Sequence, residues 1–201
     1  MKNSYQQTCF ILGTPDGRHA PQDTGLEVAF AGRSNAGKSS ALNVLTGQRS
    51  LARISKAPGR TREINFFHVR DDIRLVDLPG YGYAKVSRSI KNQWQQNISR
   101  YLETRQSLCG VILLMDIRQA LKDVDRQVLG WCMRADLLTH VLLTKSDKLK
   151  RGPAKAALFQ TRKALQQLHP EASVQLFSSH TREGCEELQQ VLDQWLGTPP
   201  D

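Results

Sequence analysis

A glycine-rich loop that ends in lysine and serine is the segment of this sequence with the clearest chemical capacity. Its pattern is G-x-x-x-x-G-K-[ST], which is typical of a loop that binds phosphate. The loop and the residue after it comprise Gly32, Arg33, Ser34, Asn35, Ala36, Gly37, Lys38, Ser39 and Ser40. Glycine allows the backbone N–H groups to turn inward around a phosphate, at a helix N-terminus that favours negative charge. We expect Lys38 to contact the β- and γ-phosphates of a nucleotide and the Ser39 hydroxyl to bind Mg²⁺.

Two later motifs narrow the identity of the nucleotide. The first is a D-x-x-G motif, formed by Asp77, Leu78, Pro79 and Gly80. The second is a T-K-S-D tetrad, formed by Thr144, Lys145, Ser146 and Asp147. Asp77 would hold Mg²⁺ through a water molecule, and the Gly80 N–H would face the γ-phosphate. The Asp147 carboxylate can accept hydrogen bonds from the N1–H and the exocyclic amine of guanine, a pair of donors that adenine does not present. Because the stem of Lys145 can also cover the base, the motifs favour GTP over ATP.

A segment between the phosphate loop and the D-x-x-G motif offers a second Mg²⁺ ligand and a switch. Its candidate residues are Gly59, Arg60, Thr61, Arg62 and Glu63. The Thr61 hydroxyl would bind Mg²⁺ only when the metal and the γ-phosphate are both present, so this loop would change with the nucleotide state. Nearer the C-terminus, Ser178 and Ser179 offer hydroxyl and N–H groups for the guanine carbonyl, although an ordinary helix cap would explain them equally well.

The elements that position these motifs follow from the hydrophobic pattern. Short apolar runs alternate with longer amphipathic stretches, which is typical of βαβ units around a mostly parallel sheet. The predicted strands cover residues 27–31, 64–69, 73–77, 111–116, 140–144 and 173–177, and the predicted helices cover 38–46, 89–104, 121–135, 153–168 and 185–196. A tight polar link at residues 70–72 makes the second and third strands an antiparallel hairpin. We therefore expect an α/β fold with a six-stranded, mostly parallel sheet, one antiparallel strand, and helices on both faces.

The composition is that of a basic globular chain. Its 201 residues carry 28 Lys and Arg against 19 Asp and Glu, a net charge of +9 that would suit an acidic partner such as nucleic acid. No apolar run approaches the roughly 20 residues of a membrane span, and the N-terminal apolar run is too short for a signal peptide. We therefore expect a cytoplasmic protein. The four cysteines and five histidines show no metal-binding spacing, so we expect reduced thiols.

Taken together, the motifs resemble those of the EngB (YihA/YsxC) family of bacterial GTPases, within the Ras-like phosphate-loop GTPases. The most specific part of the match, which covers nearly the whole chain, is the extension Tyr81, Gly82, Tyr83 and Ala84. The resemblance implies a single GTPase domain at residues 25–198, with an N-terminal extension at 1–24 and a tail at 199–201. It also implies that residues 59–63 and 77–80 line the nucleotide together with Phe177, Ser178 and Ser179. The implied function is a GTP-hydrolysing switch in assembly of the large ribosomal subunit, needed for normal cell division and septation.

We expect Lys38, Thr61 and Asn35 to be the catalytic residues. Ras-like GTPases usually place Gln after D-x-x-G to orient the attacking water, but this chain has Tyr81 there, so its intrinsic hydrolysis should be slow. Related bacterial GTPases with this asparagine use it to hold K⁺ where others place an arginine finger. Our hypothesis is that Asn35 does the same; the alternative is that Asn35 only shapes the loop.

Two basic segments offer surfaces for ribosomal RNA. Residues 48–62 contain five cations and no acid, and a second group comprises Lys145, Lys148, Lys150, Arg151 and Lys155. Because the first segment would also sense the γ-phosphate, it would couple the nucleotide state to binding of a large-subunit precursor. We favour this interpretation over a solvated surface, the usual explanation of a single charge run. Two other functions stay open on the sequence: a small-molecule or nucleotide kinase, and an RNA-binding module with a non-catalytic nucleotide site. We expect a monomer.

Overall fold

A seven-stranded sheet flanked by five helices forms the framework of the protein in the computed structural model, which describes residues 4–52, 63–82 and 88–197. The strands are β1 (Cys9–Thr14), β2 (Leu26–Gly32), β3 (Ile64–Arg70), β4 (Ile73–Asp77), β5 (Leu108–Asp116), β6 (Leu138–Thr144) and β7 (Ser173–Leu176). The helices are α1 (Lys38–Leu45), α2 (Arg88–Thr104), α3 (Asp123–Arg134), α4 (Arg151–Leu168) and α5 (Cys185–Trp195). None of the described helices is long and apolar enough to cross a membrane.

The strands follow the order β1-β3-β4-β2-β5-β6-β7 across the sheet. Strand β3 is antiparallel to both of its neighbours, whereas the other pairs are parallel. The expected α/β class, the single antiparallel strand and the helices on both faces are therefore confirmed. The sheet has one strand more than expected, because Cys9–Thr14 pairs with β3 at the edge. Its run CFILGT contains no polar and apolar alternation, so its pattern alone does not separate it from a loop.

Apolar side chains alternate along the central strands and build a core on each face of the sheet. On β5, Val111 and Leu113 lie in the core beneath α2, α3 and α4, whereas Ile112 and Leu114 lie in the core beneath α1 and α5. Burial of each such side chain stabilises the fold by about 1.5–3 kcal/mol. A shift of one residue in strand register would exchange the two sets, so the cores fix where each strand ends and hence where each motif lies.

A cluster of buried charged residues lies at the amino ends of the parallel strands. Glu27 accepts hydrogen bonds from Arg74 Nε at 2.7 Å, from Arg105 Nη2 at 2.6 Å and from the Tyr101 hydroxyl at 2.8 Å. Burial alone would raise the pKa of Glu27, but the hydrogen bonds from Arg105 and Arg74 lower it below its usual value. The carboxylate therefore stays ionised with its partners inside the protein.

Candidate functional site

The phosphate loop is a strand-turn-helix unit whose backbone depends on glycine at two positions. Strand β2 ends at Gly32, the first residue of the motif, and α1 begins at Lys38, as the motif predicts. A Cβ on Gly32 would lie 2.8 Å from the Leu114 carbonyl oxygen, so a larger residue would push the loop away from β5. Gly37 precedes α1 with a φ of 93°, in the left-handed region that glycine adopts without strain. Since Gly37 has no side chain to cap the helix, the first N–H groups of α1 remain available to an anionic ligand.

Lys38 and Asp77 form a buried ion pair beside this loop. The Lys38 ammonium donates to Asp77 Oδ1, and the two side chains are only 10% and 5% exposed. Asp77 ends β4 directly beside Phe30 of β2, which explains why the D-x-x-G motif meets the phosphate loop. The second carboxylate oxygen of Asp77 has no hydrogen-bond partner among the described residues. With the half-buried Ser39 hydroxyl next in the chain to Lys38, this oxygen set suits Mg²⁺.

The T-K-S-D tetrad braces the phosphate loop from the end of β6. The Thr144 hydroxyl lies 2.6 Å from the Ala36 carbonyl oxygen, and the Lys145 ammonium donates to the Asn35 carbonyl oxygen at 2.7 Å. Lys145 also contacts Asp116 Oδ2 at 3.0 Å, at the end of β5. Hydrogen bonds from Arg118 and then from Lys145 hold the pKa of the Asp116 carboxyl well below its usual range. These contacts hold the aliphatic part of the Lys145 side chain across the phosphate loop.

The guanine-binding candidate Asp147 is held by the loop that follows β7. The Ser178 hydroxyl donates to Asp147 Oδ1 at 2.7 Å, and this hydrogen bond lowers the pKa of Asp147. The Ser146 hydroxyl donates to Glu183 Oε2 at 2.6 Å, so the two loops are joined at a second point. Asp147 is thus an ionised, oriented acceptor. Such an acceptor is the group that an N1–H and an exocyclic amine require.

The loop after β7 is held in place by a buried side chain and by its backbone. The Phe177 side chain is fully buried in the core beneath α1 and α5, and its carbonyl oxygen accepts from the Ser146 N–H at 3.2 Å. Gly184 has a φ of 77°, and a Cβ there would lie 2.2 Å from the Leu176 carbonyl oxygen. Ser179 is half-buried. Phe177 therefore fixes the position of the Ser146 to Asp147 turn, Ser178 is buried with its hydroxyl on Asp147, and Ser179 is the more exposed of the two serines.

Tyr81, at the position where many Ras-like enzymes have Gln, points away from the phosphate loop. Its ring is 3% exposed, and its hydroxyl donates to Asp125 Oδ1 of α3 at 2.8 Å. The Tyr81 ring packs against Trp94, which in turn packs against Trp131, at centroid distances of 5.1 and 6.2 Å. The Tyr81 backbone meanwhile accepts from the Ser34 N–H at 2.7 Å. This residue therefore joins the phosphate loop to α2 and α3 and does not offer its hydroxyl to a water beside the loop.

The remaining predicted residues divide into those in the described part and those outside it. Leu78 and Pro79 are buried, Gly80, Ser40, Arg33 and Ser34 are half-buried, and Asn35 and Glu63 are exposed. Gly59, Arg60, Thr61 and Arg62 lie outside the described residues, as do Tyr83 and Ala84. The sheet thus brings the phosphate-loop, D-x-x-G, tetrad and post-β7 residues to one edge.

Three residues that position parts of the candidate site belong to none of the predicted motifs. Asp116 orients Lys145, Glu183 orients the tetrad through Ser146, and Asn43 of α1 donates to the Ala52 carbonyl oxygen at 3.1 Å while accepting from the Ala52 N–H at 2.8 Å. Asn43 thereby anchors the start of the basic segment at residues 48–62. Of the three, only Asp116 leaves a signal in the sequence, because it is a carboxylate directly after a buried strand at the ligand-binding edge.

Comparisons with known proteins agree with this geometry. Residues 27–145 match the family model described as a 50S ribosome-binding GTPase. The chain is 55% identical over 193 residues to the probable GTP-binding protein EngB of Escherichia coli strain K12, covering 96% of this chain and 92% of that relative. A crystal structure of a probable GTP-binding protein engB superimposes with a TM-score of 0.69 at 20% identity, over 86% of this chain and all of the other. Aquifex aeolicus Era bound to GDP and AlF4⁻ superimposes with a TM-score of 0.66 at 21% identity, over 87% of this chain and 57% of Era. At these identities, the two structures support the fold alone.

Proposed function

Since the chain belongs to the EngB family of phosphate-loop GTPases, whose activity is hydrolysis of GTP to GDP and phosphate, we propose that it is a GTP-dependent switch in assembly of the large ribosomal subunit. In this proposal it works in the cytoplasm as a monomer, and its loss impairs cell division and septation. The observation that carries the nucleotide part is the arrangement of Lys38, Asp77, Asp147 and Ser178 at one edge of the sheet.

The phosphate loop would bind the triphosphate through its backbone and Lys38. The first N–H groups of α1 would donate to the β-phosphate, and Lys38, now paired with Asp77, would bridge the β- and γ-phosphates. GTPases of this kind generally use Mg²⁺, which draws charge from the phosphate oxygens. Ser39 and Thr61 would be its direct ligands and Asp77 a ligand through water, using the carboxylate oxygen that has no partner among the described residues.

Specificity for guanine would come from Asp147. Its carboxylate would accept the two donors of guanine, while the Lys145 stem covers one face of the base and the Ser178 and Ser179 loop meets the guanine carbonyl. Affinities of the purified protein for GTP, GDP and ATP test this assignment. We expect tight binding of the guanine nucleotides only. Equal affinity for ATP would favour a kinase, and weak binding of all three would favour an RNA-binding module with a degenerate site.

Hydrolysis by the isolated protein should be slow, because Tyr81 is turned toward Asp125 and cannot orient water as Gln does. We propose that K⁺ near Asn35 supplies the missing positive charge between the β- and γ-phosphates. Asn35 suits this role because it is exposed and has a φ of 64° at the turn of the phosphate loop. Single-turnover hydrolysis in KCl should exceed that in NaCl at equal ionic strength, and Asn35→Ala should remove the difference. Equal rates for the unaltered protein would contradict a role for K⁺.

Coupling to the ribosome would depend on the basic segment at residues 48–62. This segment follows α1 in the chain and contains both the five cations and the proposed Mg²⁺ ligand Thr61. The same segment would therefore contact both the γ-phosphate and RNA. Binding to purified large-subunit precursors should be tighter with a non-hydrolysable GTP analogue than with GDP, and the difference should shrink as salt rises. Binding that does not depend on the nucleotide would contradict the switch.

A further inference from the structure

Helix α4 carries the largest net charge of the five helices. It contains Arg151, Lys155, Arg162 and Lys163 and no acidic residue. The stretch 145–169, which includes α4, has seven cations and one carboxylate, a net +6 in a chain whose total is +9. That single carboxylate is Asp147, which the guanine site would use. The α4 region is therefore strongly basic, with a net charge of +6 beside the +5 of residues 48–62.

The cations of α4 are presented on one exposed face. Lys155, Arg162 and Gln166 are spaced seven and four residues apart, so they lie along one side of the helix. All three residues are exposed. The opposite face, with Ala154 and Leu165, is buried in the core of the sheet. The exposed face extends about 16 Å from Arg151 to Arg162 at 1.5 Å per residue, long enough to meet several successive phosphates.

These cations have no acidic partners in the described part of the molecule. Lys145, Lys148, Arg118 and Arg134 each form an ion pair with a carboxylate, but no described ion pair or side-chain hydrogen bond involves Arg151, Lys155, Arg162 or Lys163. On the other side of the sheet, α5 carries Glu186, Glu187 and Asp193 and no cation. The chain thus segregates its charges between two helices, and α4 is complementary to an anionic surface.

Phe159 lies within this basic face. It occupies the stripe between Lys155 and Arg162, and at 69% it is the most exposed of the large apolar side chains described. An exposed phenylalanine adds little to the stability of the fold, because most of its ring remains in water. A flat ring flanked by cations is the arrangement on which an unpaired base stacks while its neighbouring phosphates are neutralised.

We propose that the α4 face binds RNA, with Arg151, Lys155, Arg162 and Lys163 contacting phosphates and Phe159 stacking on an unpaired base. This surface is separate in sequence from residues 48–62, and it starts four residues after Asp147. The inference rests on the proposed function only for the choice of RNA as the partner. Phosphate contacts supply affinity, and the stacked ring restricts binding to a loop, bulge or end.

Fluorescence anisotropy with the full chain tests the proposal. The probes are a short hairpin RNA with an unpaired loop and the same stem closed as a continuous duplex, both titrated across a salt series. Phe159→Ala should weaken hairpin binding by about 5- to 150-fold and leave duplex binding unchanged, since one stacked base is lost. Phe159→Trp should retain hairpin binding. Joint replacement of Lys155, Arg162 and Lys163 by Gln should weaken both probes and reduce the slope of log K against log salt by about 2 to 3.

Matched controls separate this surface from general effects. Phe10→Ala removes another exposed phenylalanine, and replacement of Arg100, Arg126 and Arg134 by Gln removes three charges from α2 and α3. All variants should keep the thermal stability and GDP affinity of the parent. If the α4 variants bind the RNA probes as well as their controls do, the proposal is overturned. Nucleotide-dependent binding to precursor particles is measured in parallel, so failure of the switch is distinguished from failure of the α4 surface.

Discussion

The two ends of the parallel strands contain similar charged residues in different environments. At the amino end, Glu27 is fully buried and hydrogen-bonded to Arg74, Arg105 and Tyr101. At the carboxyl end, Asp77 is almost as buried but bonds to Lys38 alone, and its second oxygen lacks a partner among the described residues. A buried charge without a full set of partners costs stability. The contrast indicates that the amino end stabilises the fold, whereas the carboxyl end keeps polar groups available for a ligand.

Lys38→Met should give the largest effect, and it should fall on nucleotide binding. Loss of two charge-assisted hydrogen bonds to the phosphates, at about 1.5–3 kcal/mol each, predicts a fall of about 10²- to 10⁴-fold in affinity for GTP and GDP. Titration calorimetry measures the affinity, and the increase in melting temperature on adding GDP should largely disappear. A variant that kept its GDP-induced increase would show that Lys38 does not contact the nucleotide.

Glu27→Gln should produce the opposite phenotype. Arg74 and Arg105 would lose the carboxylate that they share, and among the described residues only Arg105 would keep a second one, Asp23. Breaking such a buried pair costs about 3–5 kcal/mol of unfolding free energy. The site lies at the other end of the strands, so GDP should still raise the melting temperature as it does in the parent protein. Denaturant unfolding with and without GDP checks both statements. Weakened GDP affinity in a folded variant would contradict the separation of the two ends.

Asp147→Asn should alter the choice of base with a smaller loss than Lys38→Met. The amide keeps one acceptor but turns a donor toward a donor of guanine, so GTP affinity should fall by about 10²-fold, or roughly 3 kcal/mol. Xanthine nucleotides carry a carbonyl oxygen where guanine has its amine, and they should bind the variant better than they bind the parent. Unchanged preference for GTP over xanthosine triphosphate would remove Asp147 from the guanine site.

Low pH should reduce the unfolding free energy of the protein, because Glu27 at the amino ends of the parallel strands becomes protonated. Hydrogen bonds from the arginines lower the folded-state pKa of this group below its ordinary value of 4.5. The stabilisation is therefore present above that ordinary pKa and is lost as the pH falls from there through the lower folded-state pKa. Unfolding free energies measured between pH 7 and pH 3 should fall less steeply in Glu27→Gln than in the parent. Parallel curves would show that another carboxylate causes the acid sensitivity.

The sequence predicted the carboxyl end far better than the amino end, for a physical reason. Phosphate and guanine binding require particular residue types at fixed spacing, so Gly32, Lys38, Asp77 and Asp147 are recognisable in a linear pattern. The contacts of Glu27 span 47 to 78 residues, and any strand pairing could have placed its partners elsewhere. Edge strand β1 was missed for a related reason, since its pairing with β3 is a property of the folded sheet. The contact between Tyr81 and Asp125 likewise joins residues 44 apart.

Two tyrosines allow the comparison to be tested with the same change at each end. The Tyr81 and Tyr101 hydroxyls each donate at 2.8 Å to a buried carboxylate, Asp125 and Glu27 respectively. Replacement of either by Phe should cost about 1–2 kcal/mol of unfolding free energy, because a buried acceptor loses one hydrogen bond. Tyr81→Phe should also change the rate of GTP hydrolysis or GDP release, since the Tyr81 backbone pairs with the phosphate loop through Ser34. Tyr101→Phe should leave both rates unchanged. If the two variants differ from the parent only in stability, the Tyr81 contact positions α3 and has no influence on the nucleotide edge.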